Sequence, residues 1–133
     1  MKILVYIQQS QGNISSISLE ALRGAQEIAS KTNGAVTAVT FNSSASAELK
    51  AYDLAEILLI EDDALNIYNP LHFVKAMEEV LTVESPNYIV FGHSYEARDW
   101  VPRLSARLDI PFISDCINFK MDANLTFVRS IYQ

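Results

Sequence analysis

Residues 89–108 read IVFGHSYEARDWVPRLSARL and join a short apolar run to an amphipathic one. Tyr88–Phe91 predict a strand, and Gly92 with the polar residues after it predicts a loop. A helix is expected to begin near Asp99, which would cap it, with Pro102 in the first turn, where a missing N–H costs little. Strand, loop and helix in succession are the repeating unit of α/β proteins.

The same unit recurs along the chain, with a polar loop expected at residues 8–17. Further strands are predicted at Ile3–Ile7, Val36–Phe41, Ile57–Glu61 and Phe112–Cys116. Further helices are predicted from a Ser18 cap to Asn33, over residues 43–52, and from Pro70 after an Asn69 cap. The buried helix faces are predicted at Phe73, Val74, Met77, Val80 and Leu81, and at Trp100, Val101, Leu104 and Leu108. We expect one α/β domain over residues 1–133, with an open parallel five-stranded sheet, helices on both faces, and a C-terminal antiparallel hairpin turning at residues 122–124.

The composition is that of a soluble globular protein. Ten Lys and Arg against sixteen Asp and Glu give a net charge of −6, which argues against a nucleic-acid-binding surface. The basic residues are scattered, which argues against a polybasic membrane patch. Cys116 is the only cysteine, so no internal disulfide can form and a reducing compartment fits best. Because the first apolar run is too short for a signal sequence or a membrane span, we expect a bacterial cytoplasmic protein without membrane insertion.

The chain ends at Gln133, directly after a β-type run. A sheet that ends in an uncovered strand has an exposed edge, which proteins usually protect. We therefore expect a piece of a longer protein or complex, with a surface edge strand as the alternative.

Gly92-His93-Ser94 after an apolar strand is how a serine nucleophile elbow begins. That turn requires small residues on both sides of the serine, but Glu96 occupies the second of these positions. The histidine of such a triad follows the serine, and no histidine follows His93. Ser94 is therefore expected to be a loop serine that hydrogen-bonds backbone or ligand, and the chain is not expected to be an enzyme.

Phosphate and metal motifs are also lacking. The four glycines cannot form either glycine-rich phosphate-binding pattern. His72, His93 and Cys116 have no ligand spacing, and the acidic residues 61–63 indicate a solvated loop. No metal site is predicted.

The basic helix is the more informative feature. Arg103 and Arg107 are four residues apart and share a face, which by default is a solvated surface. Arg98 and Asp99, however, lie where open α/β sheets place their ligand or partner crevice, and Ser114-Asp115 would reach the same edge. We expect charge-assisted hydrogen bonds in which Arg98 or Arg103 holds this loop against the helix.

Taken together, these segments resemble the N-terminal domain of the electron transfer flavoprotein alpha subunit. The resemblance covers the whole chain and is carried by SLEALRGAQEIA, AVTAV, YDLAEILLIED, FVRSIY and above all PNYIVFGHSYEARDWVPRLSARLDIPFISDC. Four positions depart from the family pattern: Asp53 and Ala97 replace glycines, Trp100 replaces a common leucine, and Ser130 lies where Arg-Pro is usual. The expected structural and interface cluster comprises Gly92, Ser94, Arg98, Asp99, Arg103, Ser114, Asp115, Arg129 and Tyr132.

The resemblance implies an adenine-nucleotide alpha-hydrolase-like fold that acts as scaffold and interface in a heterodimer with a beta subunit. The intact carrier would hold one FAD, mostly through a C-terminal alpha-subunit domain absent from this chain, and the beta subunit an AMP. Such carriers pass electrons from acyl-CoA or other dehydrogenases to a quinone oxidoreductase. No FAD-contacting residue is assigned in this chain.

Two alternatives remain from other classes. A free-standing nucleotide-binding module of the universal-stress-protein type shares this arrangement of strands and helices. It typically binds ATP through a glycine-rich segment after the fourth strand, whereas no glycine follows Gly92. A hydrolase is disfavoured by the missing histidine.

Overall fold

The structure, a computed structural model, describes residues 1–109, 116–121 and 125–129. Its strands are β1 Lys2–Tyr6, β2 Gln9–Ser10, β3 Asn13–Ile14, β4 Ala35–Thr40, β5 Glu56–Leu59, β6 Tyr88–Val90, β7 Cys116–Met121 and β8 Leu125–Arg129. Its helices are α1 Ser16–Thr32, α2 Ser43–Leu49, α3 Pro70–Glu84 and α4 Tyr95–Leu108, with a 3-10 turn at Asp63–Leu65.

The main sheet has four described strands, all parallel, in the order β5-β4-β1-β6. The predicted α/β class and parallel sheet are confirmed. The predicted fifth strand lies mainly outside the described residues, and only Cys116 of it is described, as the first residue of β7. The backbone of β7 pairs antiparallel with β8, with a register irregularity between Cys116 and Asn118. The turn predicted at residues 122–124 lies outside the described residues.

Helices cover both faces of this sheet. The side chains of β1 alternate between the faces, so that Ile3 and Val5 pack with α1 while Leu4 and Tyr6 pack with α3 and α4. Both sets are almost fully buried, because β1 is a central strand covered on each side.

The ends of α1 and α3 largely follow the sequence signals. Asn33 ends α1 in the left-handed conformation, and Asn69 caps α3 with Pro70 at its first position, as predicted. The predicted buried face of α3 is also confirmed. The Ser18 cap was wrong: Ser15 caps α1, because the hydroxyl of Ser18 is instead buried and accepts a hydrogen bond from the backbone N–H of Gln8.

The segment between β1 and α1 is more ordered than the predicted polar loop. β2 and β3 form a two-residue hairpin around Gln11 and Gly12, which both have positive φ. That combination is the turn whose twist matches paired strands. The Gly12 N–H donates to the side chain of Gln9 at 2.7 Å, which holds the hairpin closed.

Helix α4 begins four residues earlier than predicted, and Asp99 is not its cap. Ser94 caps it, because its hydroxyl accepts from the N–H of Ala97. Pro102 therefore lies in the helix interior and not in the first turn, so the carbonyl of Arg98 lacks its usual helical donor. The predicted buried face is retained at Trp100, Val101 and Leu104, with Leu108 partly buried.

Candidate functional site

A crevice is expected where the carboxyl ends of β1 and β6 meet. The chain runs outward from β1 through β4 to β5 and then returns to place β6 on the other side of β1. Such a reversal of strand order is the point where open α/β sheets bind ligands. Helices α1 and α4 begin near this point, after Ser15 and Ser94 respectively.

Side chains of the chain itself close this crevice. The hydroxyl of Ser94 donates to the side-chain oxygen of Gln8 at 2.6 Å while it accepts from the N–H of Ala97 at 3.1 Å. The backbone N–H of Gln8 in turn donates to the hydroxyl of Ser18 at 2.8 Å. One hydrogen-bonded chain therefore joins α4, the end of β1 and α1, and the Ser94 hydroxyl is engaged as a structural group.

Gly92 completes the closure by close contact. A Cβ at this position would lie 2.6 Å from Cγ2 of Ile17 and 3.0 Å from the carbonyl oxygen of Ile17. Real Cβ atoms do not approach other atoms so closely, so only glycine fits without movement of α1. The glycine allows the first turn of α1 to pack directly on the end of β6.

Arg98 lies at the surface beside this closure. Its Nε donates to Nε2 of His93 at 2.9 Å, and its guanidinium carbon lies 5.9 Å from the centroid of the Tyr95 ring. Tyr95 is 88% exposed. Arg98 therefore contacts a histidine and an aromatic ring on a solvent-accessible face.

Arg103 forms its ion pair within α4. Its Nη2 lies 3.3 Å from Oδ1 of Asp99, one helical turn earlier. The second oxygen of Asp99 accepts from the hydroxyl of Tyr68 at 2.6 Å, which ties α4 to the segment before α3. The hydrogen bond from Tyr68 lowers the pKa of Asp99, and Arg103 lowers it as well. Burial and the same hydrogen bond raise the pKa of Tyr68.

Helix α4 is also linked to α3, because Nε of Arg107 forms an ion pair with Glu78. Asp99 and Arg107 thus each link α4 to the preceding chain, and the basic residues of this helix are partnered and not simply solvated.

Of the remaining predicted cluster, Ser114, Asp115 and Tyr132 lie outside the described residues, and only the backbone of Arg129 is described, paired with Cys116.

Aromatic side chains fill the core beneath this edge. The ring of Trp100 makes edge-on contacts with Tyr6, Phe73 and Phe91 at centroid distances of 5.1, 5.8 and 5.3 Å. Trp100 is fully buried, and its indole N–H meets no hydrogen-bond acceptor in the part of the chain that the structure describes. Trp100 is therefore the centre of the aromatic core.

The described residues contain neither a metal-ligand cluster nor a membrane-spanning helix. Residues 1–109, 116–121 and 125–129 contain no group of three or more His, Cys, Asp or Glu placed to hold a metal ion. No helix within those ranges is both long enough and apolar enough to cross a membrane.

The family model of the electron transfer flavoprotein domain matches residues 3–133. The chain belongs to the electron transfer flavoprotein family.

Several relatives carry the name electron transfer flavoprotein subunit alpha. The one from Bacillus subtilis is 30% identical over 98% of this chain and 41% of its own length. The one from Syntrophomonas wolfei is 28% identical over 96% of this chain and 40% of its own length. A protein of Anaerotignum propionicum named acryloyl-CoA reductase electron transfer subunit beta is 22% identical over 92% of this chain and 35% of its length. The chain thus spans about two fifths of the alpha subunits that it matches, and its resemblance to their N-terminal domain is confirmed.

Sequence reasoning on this electron transfer flavoprotein chain missed several groups at the sheet edge. Gln8 and Ile17 were assigned to an undifferentiated polar loop, although they close the crevice. Tyr68 was not singled out, because its partner Asp99 is distant in sequence and was expected to cap a helix. The glycine at position 92 was the available signal, since a glycine directly after a buried strand indicates a close approach of another backbone.

Proposed function

We propose that this chain is the scaffold and subunit-interface domain of an electron transfer flavoprotein alpha subunit. In the intact protein it would belong to a heterodimer that carries FAD and passes electrons from a dehydrogenase toward a quinone oxidoreductase and the respiratory chain. The FAD-binding domain would lie outside this chain, and AMP would be held by the beta subunit. We place this carrier in a bacterial cytoplasm.

The observation that carries the proposal is the closed crevice. In nucleotide-binding α/β domains the ligand occupies the carboxyl edge at the point of strand reversal. Here Ile17 lies against Gly92, and Gln8 is hydrogen-bonded to Ser94, in that same place. These contacts use groups at the place where a nucleotide would bind, which supports a scaffold role for the domain.

The same observation bears on the universal-stress-protein alternative. A free-standing ATP-binding module would need donors from a glycine-rich segment after β6. The segment after β6 instead supplies a helix cap, and its hydroxyl is used within the chain.

The experiment is to purify this chain, denature it, and identify released ligands by absorbance and mass. The proposal expects no stoichiometric FAD, AMP or ATP, together with a complex of defined stoichiometry when the beta subunit of the same organism is co-expressed. Stoichiometric FAD would place the flavin site in this domain and overturn the scaffold assignment. Stoichiometric ATP or AMP would instead favour the nucleotide-binding module.

A further inference from the structure

A small cleft opens beside the carboxyl end of β1, separate from the closed crevice. It has a volume of about 250 Å³, and its lining includes Tyr6, Phe41, Tyr68, Phe73 and Glu96. Phe41 and Phe73 contact each other edge-on at a centroid distance of 5.0 Å and supply an aromatic wall. The rest of the lining is mostly polar, so the cleft sets polar side chains against this wall; they include Gln9, Ser10, Gln11 and Asn66.

Tyr6 is the buried polar group of this cleft. The side chain is only 5% exposed, and its ring is packed against Phe41, Phe91 and Trp100. The ring is buried, whereas the hydroxyl lines the cleft, and no hydrogen bond joins that hydroxyl to another described residue. Burial raises the pKa of this hydroxyl, so it remains neutral and presents its lone pairs to a ligand.

Tyr68 presents a second acceptor to the same space. Its proton is used in the 2.6 Å hydrogen bond to Asp99, whose pKa is held below its usual range. Because that proton is committed to the carboxylate, the oxygen of Tyr68 can accept a further hydrogen bond but has no second proton to donate.

Glu96 gives the cleft its charge. The carboxylate is partly buried, and burial raises its pKa. Within the described residues Glu96 has no ion-pair partner, and neither Lys nor Arg lines the cleft. A neighbouring groove shares Phe41 and Asn66 with this cleft and is lined by the acidic residues 61–63. Glu96 lies in the first turn of α4, where the helix dipole favours a negative charge, and a bound cation would stabilise the carboxylate further.

We propose that this cleft binds a small organic cation that carries a primary ammonium or a guanidinium group. Such a head group donates several hydrogen bonds and accepts none, which matches the oxygen atoms of Tyr6, Tyr68 and Glu96. Its positive charge pairs with Glu96, and aromatic faces attract cations. The acidic groups here do not converge as metal ligands among the described residues, which favours an organic cation.

The test is calorimetric titration of this chain with 1,4-diaminobutane and with agmatine at low ionic strength. Saturable binding at one molecule per chain is expected for at least one of the two, with affinity that decreases as salt is added. The neutral analogue 1,4-butanediol is the ligand control and should not bind. Absence of saturable binding by either cation at millimolar concentration, or equal binding of the diol, would overturn the proposal.

Three variants locate the binding. Glu96→Gln keeps the shape of the side chain and removes its charge, and it should weaken binding about tenfold or more. Tyr6→Phe should weaken it several-fold, while Glu79→Gln removes the same charge from an exposed position on α3 and should leave affinity unchanged. Circular dichroism and Tm show whether each variant is folded. If folded Glu96→Gln binds as tightly as the parent chain, or Glu79→Gln is weakened equally, the cleft is not the site. The measurement needs neither flavin nor beta subunit, so its failure is distinguishable from failure of the scaffold assignment.

Discussion

The hydroxyl of Ser94 makes two hydrogen bonds that have different structural roles. It accepts from Ala97 to start α4, and it donates to Gln8 to hold α4 against the end of β1. The first contact is a local cap, which the sequence pattern can suggest. The second joins residues that are 86 positions apart and depends on the strand order. The free energies of the two hydrogen bonds can be measured separately, because Ser15 is a matched serine cap on α1.

Ser94→Ala should destabilise the chain more than Ser15→Ala. Both serines cap a helix, and loss of such a cap costs about 1 kcal/mol. Ser94→Ala additionally leaves the Gln8 side-chain oxygen without its donor, so we expect a total cost of about 2 kcal/mol. Urea unfolding of both variants measures the difference. Equal costs would mean that the Gln8 contact contributes nothing to stability.

Tyr6→Phe should change the response of stability to alkaline pH. Burial raises the pKa of Tyr6, so above pH of about 10 the unfolded chain releases a proton that the folded chain retains. The stability contributed by the neutral hydroxyl is therefore fully present below this pH and decreases by about 1.4 kcal/mol per pH unit above it. We expect the free energy of unfolding of Tyr6→Phe to fall less steeply with pH by this amount. Denaturant unfolding between neutral and strongly alkaline pH gives both slopes, and parallel slopes would contradict the assignment.

At the scale of elements, the contact between Gly92 and Ile17 sets how closely α1 approaches β6. Gly92→Ala inserts a methyl group 2.6 Å from Cγ2 of Ile17 and should destabilise the chain by about 1–3 kcal/mol. Ile17→Ala removes the nearest atom but leaves the backbone contacts at 3.0 and 3.1 Å, so the double variant should recover only part of this loss.

Gly24→Ala is the matched control for that series. Gly24 lies within α1, and a Cβ there would meet nothing within 4 Å. The substitution should therefore stabilise the chain by about 0.5–1 kcal/mol, since alanine is the better helix former. If Gly92→Ala behaved like Gly24→Ala in thermal unfolding, the close packing of α1 on β6 would be refuted.

The elements themselves were largely predictable, whereas their ends and contacts were not. The buried face of α3 follows from the spacing of its apolar residues, and the start of α3 follows from the local chemistry of Asn69-Pro70. Both signals act within one element. The start of α4 was misplaced because Asp99 is also a good cap residue. Its carboxylate is instead held by Tyr68, a contact that only the tertiary structure brings together. The closure by Gln8 and Ile17 was missed for the same reason.

At the scale of the whole molecule, the exposed groups at the start of α4 are the natural place to test for a partner. Tyr95 is largely exposed, and Arg98 contacts it and His93 at the surface. An aromatic residue beside an arginine is a frequent composition of protein–protein interface centres. These groups also follow directly on the closed crevice.

Arg98→Ala should weaken association with the beta subunit while leaving the chain stable. Because Arg98 is exposed, its hydrogen bond to His93 is expected to contribute less than about 1 kcal/mol to stability. Truncation of a hot-spot arginine costs more than about 1 kcal/mol of binding free energy, and we expect Arg98 to be such a hot spot, so affinity should fall about fivefold or more. Calorimetry with the purified beta subunit measures that affinity, and Tm measures stability. Arg23→Ala, which removes the same charge from an exposed position on α1, is the control and should bind as the parent chain does. Weaker binding of both variants would indicate a general effect of charge. A loss of stability without a loss of affinity would assign Arg98 to holding the loop, and the beta subunit would then have to bind another face of the domain.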